Sequence, residues 1–168
     1  KDIISVKKNK DVGIVIYVES KEHIALKKIL KDIQEKNGKN VLILGRYNRV
    51  INELKIRNIA NTFNELNISF KTVHSSKGLE NDYVIILDNN RGRLGFPSEM
   101  TDDPLLELVM GEEDNYLFAE ERRLFYVALS RAKNKIYLST TPHNQSIFIR
   151  ELINNNYDIE LHHQDEVG

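Results

Sequence analysis

Residues 72–88 read TVHSSKGLENDYVIILD. The first part places His, two Ser, Lys, Gly and Glu within the seven positions 74–80, which is denser than a surface turn requires. The second part is a continuous apolar run, typical of a strand that is covered on both faces of a sheet. The stretch therefore predicts a buried strand that is entered directly from a segment rich in hydrogen-bonding groups.

Strands and helices alternate along the rest of the chain. The apolar runs predict strands at 12–18, 41–45, 68–73, 83–88 and 136–140, and residues 89–101 read as a loop. Helical periodicity predicts helices at 21–36, within 50–65, at 104–110, at 118–132 and at 146–155. This alternation predicts a three-layer α/β domain with a mainly parallel sheet over residues 1–153, followed by a polar tail at 154–168.

In such sheets ligands bind at the C-terminal ends of the strands, where Arg46, the polar stretch and the loop after Asp88 are expected. Composition restricts what the ligands can be. The net charge of −1 excludes a general polycation, so any nucleic-acid site has to be local.

No apolar run approaches the ~20 residues that span a membrane, and zero Cys fits a reducing cytoplasm. The scattered His residues and the absence of Cys predict no metal site. The chain starts without Met and is expected to be part of a longer protein.

A phosphate-binding loop of the form G-x-x-x-x-G-K-[ST] is absent from the sequence. The nearest approach is Gly38-Lys39-Asn40, which has Ile33 in place of the first Gly and Asn40 in place of the hydroxyl residue. The chain alone is therefore not expected to hold and hydrolyse a nucleoside triphosphate.

Two arginines occupy positions that need an explanation. Arg46 directly follows the strand 41–45, and Arg131 lies on the apolar stripe of the helix predicted at 118–132. Each could form a salt bridge with a carboxylate, or it could reach a cleft and supply charge to a phosphoryl group.

The polar stretch also has two readings. It could be a strand–turn–helix connection with Ser75 as the helix N-cap and Lys77 as a solvated charge. Alternatively, His74 and Ser75 contact a nucleic acid, Gly78 permits close approach and Glu80 accepts a hydrogen bond from a sugar hydroxyl. The cluster at 120–123, with sequence EERR, is typical of a solvated, self-paired helix face.

Together these segments resemble the C-terminal motor domain of superfamily 1 helicases of the UvrD/Rep type, especially the helicase IV branch. Residues 41–48 (VLILGRYN) are similar to helicase motif IV, 72–84 to motif V and 120–133 (EERRLFYVALSRAK) to motif VI. Residues 96–98 (FPS) fit the family's loop, and the resemblance covers roughly 40–153. It implies a RecA-like domain of the P-loop NTPase type that lacks its own P-loop.

The resemblance implies a role for each matched position. Arg46 and Arg131 would act as catalytic arginines toward the γ-phosphate of ATP. The residues implied to contact ATP are Gly78, Glu80 and Lys77, and those implied to contact single-stranded DNA are Thr72, His74 and Ser75. ATP and Mg²⁺ would be bound mainly by an N-terminal motor domain of the same protein. The implied activity is 3′→5′ movement on the single strand of a 3′-tailed duplex, in a bacterial cytoplasm at the nucleoid.

Two departures from the family pattern limit what the resemblance implies. Only 25 residues separate Arg46 from Thr72, so the accessory domain that the UvrD/Rep relatives insert there is missing. The sequence also lacks the N-terminal motor half, so this chain by itself is expected to be inactive. The alternatives left open are a helicase-like module that regulates a partner such as RNA polymerase, and an RNA-directed translocase.

Overall fold

The computed structural model describes residues 12–100, 118–155 and 157–164 of the chain. Six strands in these ranges form one sheet with the order β3-β2-β4-β5-β1-β6, and every pairing between them is parallel. The strands are β1 (Gly13–Val18), β2 (Asn40–Gly45), β3 (Asn67–Thr72), β4 (Asn81–Ile86), β5 (Ala132–Thr140) and β6 (Ile159–His163). The predicted parallel α/β sheet is confirmed.

Helices cover both faces of the sheet. The described residues contain α1 (Glu22–Glu35), α2 (Asn48–Ile51), α3 (Leu54–Asn61), α4 (Ala119–Leu129) and α5 (Ile147–Asn154). On one face, Leu26, Ile29 and Ile33 of α1 share a buried cluster with Ile56 of α3. The strands contribute one apolar residue or two each to this cluster: Val15 and Tyr17 of β1, Val41 and Ile43 of β2, Ile85 of β4 and Tyr137 of β5. A helix and a strand each expose one apolar side to the other, and burying both sides removes that surface from water.

The opposite face packs against α4 and α5. Its centre is an aromatic group in which Phe96, from the loop after β4, lies 5.3 Å from Phe125 and 5.9 Å from Phe148 between ring centroids. All three rings are fully buried. Val73 belongs to the same buried cluster, so the polar segment that follows β3 leaves the strand on the α4 side of the sheet.

The helix and strand boundaries differ from the sequence predictions in informative places. The helix expected within 50–65 is two short helices, α2 and α3. β5 begins at Ala132 rather than at residue 136, because Asn81 of β4 pairs with Ala132 despite the polar residues at 133–135. The helix expected at 118–132 therefore ends at Leu129. The helix predicted at 104–110 lies outside the described residues.

The predicted C-terminal tail needs a correction. Ile159–His163 forms β6, which pairs in parallel with Ile14 to Val18 of β1. His162 stacks on Tyr17 with the ring centroids 4.4 Å apart. The segment is polar because β6 is the last strand of the sheet, and its only apolar residues, Ile159 and Leu161, pack against the core, so its composition resembled that of a tail.

Candidate functional site

Parallel strands give the sheet two chemically different ends. The C-terminal end carries Arg46 after β2 and Thr72 at the close of β3, and Gly45 is the direct partner of Thr72. The N-terminal end carries Glu80 before β4 and Arg131 before β5, where Asn81 pairs with Ala132. The candidate residues are therefore divided between the two ends of the sheet.

Residues 73–80 connect these two ends. The segment leaves the C-terminal end of β3 and enters β4 at its N-terminal end, and β2 lies between those two strands. It makes one 3₁₀ turn at His74–Ser76 and no α-helix. The strand–turn–helix interpretation is therefore wrong, and Ser75 does not cap an α-helix.

The first part of the segment lies at the C-terminal end of the sheet and is ordered by its own hydroxyl groups and that of Thr72. The Thr72 hydroxyl accepts a hydrogen bond from the Ser75 backbone N–H at 3.2 Å and donates one to the Ser75 hydroxyl at 2.8 Å. Ser76 is fully buried and donates to the Val73 carbonyl at 2.6 Å. His74 and Ser75 are left exposed, and the Ser75 hydroxyl keeps its own hydrogen for an outside acceptor.

The last part of the segment lies at the N-terminal end of the sheet and is open. Lys77, Gly78 and Glu80 are all exposed. Gly78 adopts a φ of +82°, a left-handed conformation that favours glycine, and a Cβ at this position would meet nothing within 4 Å. The turn therefore needs glycine for its backbone conformation, and the space beside it is accessible to a ligand.

Arg131 lies against this turn. The prediction that Arg131 lies on the apolar stripe of the helix expected at 118–132 is wrong, because α4 ends at Leu129. Arg131 lies in the two-residue connection between α4 and β5. Its carbonyl accepts a hydrogen bond from the Asn81 N–H at 2.8 Å, and its guanidinium donates to the Leu79 carbonyl at 3.3 Å. The buried Nε of Arg131 has no hydrogen-bond partner in the described part of the chain. The structure thus brings Arg131 and the residues around Glu80 together.

Arg46 is held in a different way and at the other end of the sheet. Its Nε lies 3.0 Å from each carboxylate oxygen of Glu121, and the side chains of the two residues are 14% and 8% exposed. The same carboxylate accepts the Ser98 backbone N–H, and Ser98 accepts a hydrogen bond from the Tyr47 hydroxyl at 2.7 Å. The salt-bridge interpretation therefore applies to Arg46, and the structure does not bring Arg46 and Arg131 together.

The cluster at 120–123 is not a self-paired helix face. Glu121 pairs with Arg46, and Arg122 forms two hydrogen bonds with Glu151 of α5. Glu120 and Arg123 are exposed, in agreement with the prediction for those two positions. Sequence reasoning missed Glu121, although a carboxylate in the first turn of the helix predicted at 118–132 could have been matched to the largely buried Arg46.

Besides Glu121, two further carboxylates lie together at the C-terminal end of the sheet, and sequence reasoning did not predict them. Glu22 and Asp88 line a cavity of about 660 Å³ together with Arg49, Asn90 and Thr141. Glu22 accepts hydrogen bonds from the Asp88 N–H and the Ser139 hydroxyl, and burial raises its pKa to about 7. Burial also raises the pKa of Asp88. The described residues contain no group of His, Cys, Asp and Glu that could hold a metal ion.

No helix within the described residues has the length and apolarity needed to cross a membrane.

Comparison with solved structures bears on the fold. The crystal structure of the C-terminal domain of a possible DNA helicase from Lactobacillus plantarum WCFS1 is similar to this chain with a TM-score of 0.57 and 17% identity. The similarity covers 95% of this chain and 92% of that one. It supports a shared fold.

Sequence comparison identifies the family. The chain is 35% identical over 119 residues to DNA helicase IV of Escherichia coli K12, which covers 71% of this chain and 17% of that protein. It is 42% identical over 72 residues to a protein of Mycoplasma capricolum named probable DNA helicase II homolog, covering 43% of this chain and 8% of that protein. The chain thus spans less than a fifth of the length of these relatives. The family model of the UvrD-like helicase C-terminal domain matches residues 21–143. The chain belongs to the UvrD-like helicase C-terminal domain family.

Proposed function

We propose that the chain is the second motor domain of an ATP-dependent DNA helicase that moves 3′→5′ along single-stranded DNA. The observation that carries this proposal is the course of residues 73–80. One continuous segment exposes hydroxyl and imidazole groups at one end of the sheet and reaches Glu80 and Arg131 at the other. Such a segment can contact two different ligands at once.

At the C-terminal end of the sheet, Thr72, His74 and Ser75 would contact the DNA strand. The Ser75 hydroxyl can donate to a phosphate oxygen without giving up the hydrogen bond that it accepts from Thr72. Contacts of this kind position a strand and do not read its sequence, which suits a motor that moves along any DNA.

At the N-terminal end, Glu80, Gly78 and Lys77 would meet ATP, with Glu80 accepting a hydrogen bond from a ribose hydroxyl. Arg131 would turn its guanidinium from the long Leu79 contact toward the γ-phosphate. A positive charge placed there stabilises the transferring phosphoryl group and contributes roughly 10³–10⁵ in rate in well-studied cases. Arg46 could act there only if it left Glu121, so Arg131 is the principal arginine of this proposal.

The rest of the nucleotide site belongs to another part of the protein. The described residues present two carboxylates near the proposed nucleotide end, Glu80 and Asp82, and Asp82 accepts a hydrogen bond from Asn40. Mg²⁺ in such enzymes neutralises charge on the phosphates, and its ligands would come from the N-terminal motor domain. This chain alone would then be inactive as an ATPase. A DNA substrate would place the full-length protein at the nucleoid, in the cytoplasm of a bacterium.

The test uses the full-length protein that contains this chain. We expect Arg131→Ala to abolish ATP hydrolysis stimulated by single-stranded DNA while the circular dichroism spectrum and thermal midpoint stay unchanged. Arg123→Ala is the matched control, because it removes an exposed arginine from the same α4 region. Normal turnover in a folded Arg131→Ala protein would contradict the proposal.

Two further measurements separate the alternatives. Unwinding of a 3′-tailed DNA duplex by the wild-type protein supports a helicase, and its absence together with binding to RNA polymerase supports a regulatory module. Stimulation of ATP hydrolysis by single-stranded RNA more strongly than by DNA would indicate an RNA-directed translocase.

A further inference from the structure

A basic groove lies between the outer surfaces of α1 and α3. Its volume is about 490 Å³, and it is lined by His23, Ile24, Lys27, Lys28, Lys31 and Ile59. We call this the α1–α3 groove. None of these residues belongs to the helicase motifs or to the site described above.

Two lysines of the groove are available to a ligand. Lys27 and Lys31 are exposed and stand one helical turn apart, about 6 Å along the axis of α1. Neither forms a salt bridge or a side-chain hydrogen bond within the ranges that the structure describes. Lys28, between them in sequence, pairs with Glu19.

The carboxylates of α1 mostly point elsewhere. Glu22 turns inward to Ser139 and the Asp88 N–H. Asp32 accepts hydrogen bonds from Lys36 at 2.8 Å and from the Tyr137 hydroxyl at 2.6 Å. Glu35 is the remaining carboxylate, at the last position of the helix. Positive charge is therefore concentrated on the first three turns of the outer face of α1, in a protein whose net charge is −1.

We propose that the α1–α3 groove binds the phosphate backbone of duplex nucleic acid. The groove is lined by side chains on the outer surface of two helices, where an extended polyanion can reach it. Lys27 and Lys31 would pair with successive phosphates, while Ile24 and Ile59 supply an apolar floor for the sugars. Backbone contacts by lysine provide affinity that is independent of base sequence. The choice of nucleic acid as the ligand rests on the proposed helicase function. The existence and the positive charge of the groove do not depend on it.

The groove is separate from the proposed single-strand contacts. The buried side chains of α1 and α3 belong to the cluster on one face of the sheet, whereas Val73 of the motif V segment belongs to the cluster on the other. A strand lying on Thr72, His74 and Ser75 would leave the α1–α3 groove unoccupied. A nucleic acid bound in the groove would therefore lie outside the single-strand path, as the duplex part of a tailed substrate does.

The test compares two double variants of the full-length protein by fluorescence anisotropy with a labelled blunt DNA duplex, across a range of salt concentrations. Lys27→Gln/Lys31→Gln removes the two available charges of the groove. Lys39→Gln/Arg150→Gln removes the same charge from exposed positions elsewhere. Each lysine that neutralises a phosphate contributes about 0.9 to the slope of log K against log salt. We expect the groove variant to bind the duplex about 10-fold more weakly at 0.1 M salt, and the magnitude of its slope of log K against log salt to be smaller by about two. The control variant should match wild type in both.

Equal duplex affinity and slope in wild type and groove variant would overturn the proposal. So would saturable binding of a polyglutamate peptide that the groove variant loses while its duplex affinity is kept, because the groove would then take an acidic protein partner. Either result leaves the helicase proposal standing if Arg131→Ala still abolishes ATP hydrolysis. Loss of duplex binding in the groove variant with normal ATP hydrolysis on single-stranded DNA supports the groove as a site of its own.

Discussion

Arg46 and Glu121, 75 positions apart in sequence, form a partly buried ion pair between the end of β2 and the first turn of α4. Glu121 also receives the Ser98 N–H, so one carboxylate fixes a strand, a helix and the loop after β4. An arginine engaged in this way holds the C-terminal end of the sheet together.

We expect Glu121→Gln to lower the free energy of unfolding by about 2 kcal/mol, because a largely buried guanidinium loses its counter-charge. Urea denaturation measures the loss. Glu120→Gln is the matched control, since it removes a neighbouring carboxylate that is exposed. Equal stabilities for the two variants would show that the pair does not hold these elements.

The turn at Gly78 gives a second prediction. Gly78→Ala should cost about 1–2 kcal/mol, because its φ of +82° is unfavourable for a residue with a Cβ although space is available. Gly78→Asn should cost less, since Asn tolerates this region better. Gly13→Ala serves as the control, because the added Cβ would make an ordinary 3.6 Å contact. A Gly78→Ala variant as stable as the control would mean that the turn readily changes its conformation.

The buried carboxyl of Glu22 predicts a pH dependence of stability. Burial raises its pKa to about 7 from an ordinary value of 4.5, so between these pH values the folded protein binds more protons than the unfolded chain. Stability from this group is therefore fully present at low pH and is lost as the pH rises through about 7. Burial of Asp88 raises the pKa of that group too and acts with the same sign.

Glu22→Gln should therefore raise the free energy of unfolding at pH 8 by about 1–2 kcal/mol and flatten its decline between pH 5 and 7. Denaturation at several pH values measures both effects. Glu35→Gln, on the exposed end of the same helix, distinguishes the buried carboxyl from a general effect of charge. An unchanged pH profile in Glu22→Gln would assign the dependence to another group.

The β6 strand gives a further prediction. Ending the chain at residue 155 should destabilise the domain by about 2 kcal/mol or more, because it uncovers Tyr17 and removes the strand that pairs with β1. Hydrogen exchange of the β1 amides should accelerate. Leu161→Ser in the intact chain should cause part of the same loss. Unchanged exchange in the shortened chain would mean that β6 contributes nothing to β1.

The sequence predicted the fold wherever the burial pattern was simple. The runs at β1, β2 and the second half of β4 and the stripe of α1 are almost entirely apolar, so their identity follows from composition and period. Prediction failed where a neighbouring strand imposed the conformation. Lys133 to Lys135 extend because β4 lies beside them, and β6 is held by β1 despite its polar residues.

The candidate site was harder to predict because it depends on distance through space. The local sequence does not show that Arg46 and Arg131 have different surroundings, because Arg46 directly follows an apolar strand and Arg131 precedes one. The folded structure shows the difference. Arg46 pairs with the Glu121 carboxylate at the C-terminal end of the sheet, and Arg131 donates to the Leu79 carbonyl at the N-terminal end.

The direction of α4 has a mechanical consequence. The helix begins beside Arg46 at one end of the sheet and leads to Arg131 at the other, a length of about 16 Å. Residues 73–80 run beside the same face, and the two paths are cross-linked where Arg131 bonds with Leu79 and Asn81. The two ends of the sheet are thus connected both by α4 and by residues 73–80, and these two connections are bonded to each other at Arg131. The hydrogen bonds of Arg131 with Leu79 and Asn81 therefore couple the position of the end of α4 to that of the Gly78 turn.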